Sequence, residues 1–154
     1  MECRSPAASR AAVPLRLIVR DVGPPVATPW SLERMTLLAK AHGVMRDAPF
    51  RDDAADDWSP DMRRDCQGKV AAALILLHEA GLPLSAMRGY VVLARINGRD
   101  GYWKHAALVV RMQPRGEAVD YVLDHLQSGV RTLTWAMRAG LYIEAVPMMR
   151  AEPS

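Results

Sequence analysis

The spacing of apolar residues changes near residue 87 and divides the chain into a helical half and a strand half. Leu15 to Val19 form a short apolar run that predicts a strand. Residues 21–29 hold three prolines and a glycine and read as a loop. Ser31 suits a helix N-cap, with Glu33 in the first turn. Leu32, Met35, Leu38 and Ala39 then recur at helical spacing, and Gly43 reads as that helix's end. Residues 46–65 are polar and irregular.

The clearest helix runs from Cys66 to about Ala80. Val70, Ala73, Leu74 and Leu77 form its apolar stripe, and Ala71, Ala72, Ile75 and Leu76 widen it. A helix apolar on most sides belongs at the centre of a core. Gly81 and Pro83 stop it. Gly68 in its first turn costs roughly 1 kcal/mol of helix propensity against alanine, which close approach of another backbone segment would explain. Beyond residue 87, residues 90–96, 103–112, 118–123 and 141–146 read as strands. Turns are expected at 97–101 and 113–116, with a Leu/Trp segment before the last strand. Helices first and an antiparallel meander after make an α+β layout: a central helix packed on an antiparallel sheet.

A chain of 154 residues suits one domain, expected over residues 14–150 after a flexible tail at 1–13. Half of the residues are hydrophobic, which argues against disorder. Twenty Lys+Arg stand against 17 Asp+Glu, and the basic residues are scattered, so nucleic acid is not an expected partner. No stretch approaches the ~20 apolar residues of a membrane span. Arg10, Pro14, Arg16 and Arg20 interrupt every candidate export signal. A cytoplasmic protein is expected from the chain as it stands, and a periplasmic one if a signal has been trimmed. Asp52, Asp53, Asp56 and Asp57 lack the alternating spacing of a calcium loop and read as a solvated acidic stretch. The histidines and cysteines show no zinc spacing, so no metal is expected. The nine methionines read as scattered core filling.

Of the two cysteines, Cys3 sits in the tail, and Cys66 reads as a free thiol. Asp65 is a plausible N-cap, which puts Cys66 in the first turn of the helix. There the macrodipole favours a negative sulfur, and unpaired backbone N–H groups could hold an oxyanion. A cysteine nucleophile also needs a base and a group that orients it. His105, near the start of the second strand, is the candidate base. Asp124, at the end of the third, is the candidate orienting group. If Gln113 pairs with Gly116, paired positions sum to 229 and His105 stands opposite Asp124, with Cβ atoms roughly 4.5–5.5 Å apart. A one-residue slip would place His125 there instead. His78 is expected to pack or face water, and His42 and His125 to lie at the surface. A lone cysteine on a core helix is more often structural, so the weight rests on the three residues together.

The order Cys, His, Asp resembles the transglutaminase-like cysteine proteinases of bacteria, a papain-like fold. Trp58-Ser59-Pro60 resembles that family's approach segment. Asp65-Cys66, Lys69 and Ala80-Gly81-Leu82-Pro83 resemble its nucleophile helix. His105-Ala106-Ala107-Leu108-Val109 and Val122-Leu123-Asp124-His125-Leu126 resemble its two later strand motifs. The match covers roughly residues 58–135. It implies a thiol-dependent hydrolase, a peptidase or amidase acting on protein or peptide through an acyl-enzyme, with Cys66, His105 and Asp124 as catalytic residues. It also brings Gln67 and Trp58 forward as oxyanion or cleft residues. Trp103 and Trp135 either wall the cleft or complete the core. Some family members bind calcium through acidic residues after the cysteine. Gln67 and Gly68 stand there, so calcium is not carried over. The same gap and the short chain motivate a rival expectation: a catalytically inactive member of the fold serving as a binding or assembly module.

Overall fold

A computed structural model describes residues 14–20, 22–52 and 57–154. The expected tail with Cys3, and Asp53 and Asp56 of the acidic stretch, lie outside the described residues. In chain order the elements are β1 (Leu15–Val19), β2 (Thr28–Pro29), α1 (Leu32–Asp47) and α2 (Cys66–Glu79). A 3-10 turn at Leu84–Ala86 leads to β3 (Met87–Arg95), β4 (Tyr102–Gln113) and β5 (Val119–Leu123). The chain closes with β6 (Arg131–Thr132), α3 (Leu133–Arg138) and β7 (Tyr142–Pro153).

The strands make one mixed sheet in the order β1-β7-β3-β4-β5-β6, antiparallel throughout, with β2 pairing parallel to β4 off that path. β3, β4 and β5 form the expected meander. The last strand departs from expectation. It does not extend the meander beyond β5 but returns to the other edge of β3, and it runs on to Pro153 because its second half pairs with β1. Such pairing between strands distant in sequence leaves no local signature in the apolar pattern.

Alternate residues of β4 serve two cores. Ala106, Leu108, Val110 and Met112 face Leu38 and Met45 of α1 and Val70, Leu74 and Leu77 of α2. Ala107 and Val109 join Tyr90, Val92, Tyr142 and Ala136 of α3 in a second cluster. The helix expected to end at Gly43 continues to Asp47. Met45 is fully buried and Ala41 nearly so, and that packing outweighs roughly 1 kcal/mol of lost propensity at glycine. Among the described residues, no helix is long and apolar enough to cross a membrane.

Two residues of α2 fix the approach to Cys66. A Cβ on Gly68 would lie 2.8 Å from Arg64 Cβ and 2.9 Å from the Asp61 carbonyl oxygen. Only glycine therefore lets residues 59–64 lie against the helix's first turn, where Asp61 N–H donates to the Gly68 carbonyl at 3.1 Å. The next residue, Lys69, is fully buried. Its Nζ donates to the carbonyls of Ala48 (2.9 Å), Pro49 (3.1 Å) and Met62 (2.9 Å). Burial lowers the ammonium's pKa below its ordinary value, while Asp61 acts in the opposite direction. The lysine thus pins the connection between α1 and α2 at both ends. Lys69→Met keeps the stem but leaves three carbonyls without their donor. A loss on the order of 2–4 kcal/mol is expected in urea unfolding; an unchanged midpoint would contradict the pinning role.

Candidate active site

Cys66 owes its position to a cap. Asp65 has extended backbone, and its Oδ1 accepts from Gly68 N–H at 2.9 Å. The helix therefore begins at Cys66, as expected. The thiol is free and half-buried, at the edge of the core and on the wall of a cleft. The first turn of a helix leaves backbone N–H groups without intrahelical partners there.

The hairpin that carries His105 and Asp124 has another register than expected. β4 and β5 pair Leu108 with Leu123 and Met112 with Val119, a sum of 231 and not 229. In that register Asp124, one residue past the end of β5, is level with Ala107, and His105 lies two residues further along β4. A slip of two preserves the face of the pleat, where a slip of one would have reversed it. Diagonal neighbours on one face remain within reach of long or aromatic side chains. His105 Nε2 lies 2.7 Å from Asp124 Oδ1, with both residues buried. Cys66 lies close enough to the ring to add to the Asp124 carboxylate's effect on it, in the direction that favours the imidazole's charge. The structure thus brings Cys66, His105 and Asp124 into one chain of contacts.

Asp124 is held by more than the sequence suggested. Its Oδ1 also accepts from Leu126 N–H at 2.9 Å, and its Oδ2 from the hydroxyl of Tyr142 at 2.6 Å. His42 Nε2 donates to its backbone carbonyl at 2.9 Å. Burial alone would raise the carboxyl's pKa, but the His105 charge and the hydrogen bonds from His105, Tyr142 and Leu126 bring it down to about 2. Burial likewise opposes charge on His105, and the Asp124 carboxylate overrides it, raising the imidazole to about 10. Tyr142, buried against that carboxylate, is pushed well above its ordinary value. Each partner thus favours the charged form of the other.

His42 and His125, expected at the surface, are both inside. His42 is buried in α1. His125 is half-buried, stacked on Phe50 with ring centroids 5.3 Å apart and 5.4 Å from the His105 ring. Their burial follows from α1 and the 48–50 segment closing over the end of β5, which neither residue's neighbours in sequence reveal. Burial, and then repulsion from His105, lower the His125 pKa to about 4. The folded state therefore binds fewer protons than the unfolded one between pH 6.5 and 4. His125's contribution to stability is present above about pH 6.5 and is lost as pH falls through that window. Unfolding midpoints should fall between pH 7 and 4.5, and His125→Phe, which keeps the stack on Phe50, should shrink the fall. An identical fall in the variant would refute this.

The cleft has a volume of about 560 Å³ and is lined by Cys66, His105, Trp58, Gln67, Asp57 and residues of β3, β4 and β7, Lys104 and Glu144 among them. Trp58 is buried and enters because β3 carries Gly89, where a Cβ would meet its ring at 2.7 Å. Trp103 and Trp135 do not wall this cleft. Both are exposed and carry guanidinium groups over their rings, from Arg99 and Arg131, each at 4.9 Å. Alternation along a strand and a short helix could not tell these outward tryptophans from an inward one. Among the described residues, no group of three or more His, Cys, Asp or Glu could hold a metal ion.

No protein-family model matches the chain, and no curated protein matches it. Among solved structures, the fold is similar to that of Legionella pneumophila LapG, a bacterial transglutaminase-like cysteine protease. The calcium-bound form superposes with a TM-score of 0.56 at 17% identity, covering 72% of this chain and 64% of that one. The EGTA-treated form gives 0.56 and 17%, covering 73% and 63%. This chain therefore spans a little under two-thirds of LapG's length, and the likeness is one of fold.

Proposed function

We propose that this protein is a thiol-dependent hydrolase, a peptidase or amidase that works through an acyl-enzyme on Cys66. The observation that carries the reading is the continuous chain of contacts from the sulfur through His105 and Asp124 to Tyr142, buried except where the sulfur meets the cleft. Cys66 Sγ attacks the substrate carbonyl carbon as a thiolate, with its proton held on His105. The oxyanion forms beside the first turn of α2, where helix N–H groups point outward; the Cys66 N–H and Gln67 are the groups nearest to hand. His105 then gives its proton to the leaving amine as the carbon–nitrogen bond breaks, and the acyl group stays on sulfur. Water, deprotonated by His105, attacks the thioester and releases the acid and the thiolate. Asp124 holds the ring's orientation and its charge throughout.

Calcium has no part in this reading. Gln67 and Gly68 offer no carboxylate after Cys66. The Asp65 carboxylate is committed to the Gly68 N–H and to Arg64.

The test is a peptidyl acyloxymethyl ketone, followed by intact-protein and peptide mass spectrometry. A single adduct on Cys66, absent in His105→Ala, is the expected result. Modification of Cys66 at equal rates in both would instead favour the inactive module with an ordinary thiol.

A further inference from the structure

The sheet face of the cleft is built in two rows of different chemistry. Val91 of β3 pairs with Ala106 on β4 and with Val146 on β7. Leu93 pairs with Lys104 on one side and Glu144 on the other. All six residues line the cleft. The first row is wholly apolar, and Val19, Met148 and Trp58 line the same cleft, as does Asp57, whose carboxylate is paired with Arg64. The second row has one leucine between two exposed charges of opposite sign. Neither charge has an ion-pair partner among the described residues.

Two features relate these rows to the reacting atoms. His105 pairs with Val92 on the other face of the pleat, at a level along the strands between the row of Val91 and the row of Leu93, and it lines the cleft together with Cys66. The rows are two residues apart on their strands, about 7 Å at ~3.3 Å per residue. An extended peptide also presents alternate side chains to one side at about that spacing.

We infer that the cleft selects an extended peptide carrying a large apolar side chain on one side of the scissile bond and a polar one two residues along, across that bond. This rests on the hydrolase reading above and names its substrate class. The apolar side chain packs on Val91 and Val146 under Trp58. The polar one lies over Leu93, within reach of the Lys104 ammonium and the Glu144 carboxylate. A peptide apolar at both positions would strip water from those two charges without replacing it.

The experiment is cleavage of a mixed library of unstructured peptides by the full chain, with products sequenced by mass spectrometry. Leucine-sized or aromatic residues are expected at the one position, and polar residues two positions along. Val146 is exposed, so Val146→Asp should fold, and circular dichroism checks that it does. It should lower kcat/KM for the preferred peptides on the order of 10–100-fold and bring lysine or arginine into the apolar position. Cleavage without positional preference, or a preference that Val146→Asp does not move, would overturn the substrate class and leave the hydrolase intact. Failure to cleave any peptide, together with no ketone adduct on Cys66, would overturn both.

Discussion

Replacing Cys66 with alanine should abolish turnover, and replacing His105 with alanine should lower it by about 10³–10⁴-fold, with little loss of fold in the first case. The sulfur is half-buried at the cleft, and a methyl group in its place removes few core contacts. His105→Ala takes away both the proton acceptor and the positive charge beside the sulfur. The two effects should not add. A Cys66→Ala/His105→Ala double variant should be no worse than Cys66→Ala, because the residues act as one unit. The pH profile carries a sign as well. His105 is raised to about 10 by Asp124, so the imidazolium that donates to the leaving amine survives to that pH. Activity should hold through the mildly alkaline range and fall near pH 10. A fall centred near the ordinary imidazole value of 6.5 would show that the pair does not form.

Asp124→Ala should combine a stability loss of about 3–5 kcal/mol with a severe loss of turnover. The substitution leaves a buried imidazole, the Tyr142 hydroxyl and the Leu126 N–H without their acceptor. For a single domain stable by roughly 5–15 kcal/mol, that is a large fraction. Asp124→Asn separates the two effects. An amide can still accept from His105 and face Tyr142, so the fold should largely persist. The carboxylate's charge is gone, so the alkaline limb should move down from about pH 10. In the native protein the ion pair stabilises most where both unfolded partners would already be charged. Its contribution fades as pH rises from 6.5 towards 10, where His105 loses its proton, and as pH falls from 3.8 towards 2, where Asp124 gains one. Equal urea midpoints for native protein and Asp124→Ala at pH 6 would contradict this account.

Much of this arrangement could be read from the residues alone, and the failures have physical causes. The strand at Leu15–Val19 and the start of α2 at Cys66 match their expected positions, because an apolar run and an aspartate cap are local signals. The Gly68 approach was legible as an unexplained glycine in a first turn. The hairpin register was not. A tight turn at 113–116 predicts one register, whereas strand pairing closes at Met112 and Val119 and leaves a longer loop. His105 still reaches Asp124 because the error was even. Tyr142 and His42 were invisible as partners of Asp124. Tyr142 arrives on a strand that crosses back to β3, and His42 arrives on a helix expected to stop beside it at Gly43. Both contacts join residues more than fifteen positions apart, and nothing in their own segments announces them. Trp103 and Trp135 show the converse. Aromatic residues suggested a wall, but strand and helix direction turned them outward under arginines.

The most direct test is the rate at which iodoacetamide alkylates Cys66 at pH 6, followed by peptide mass spectrometry so that Cys3 is scored separately. An ordinary thiol, with pKa ~8.5, is almost wholly protonated at that pH. Native protein should react on the order of 10–100 times faster at Cys66 than the His105→Ala variant, while Cys3 reacts equally in both. Equal rates at Cys66 would mean that no thiolate–imidazolium pair exists.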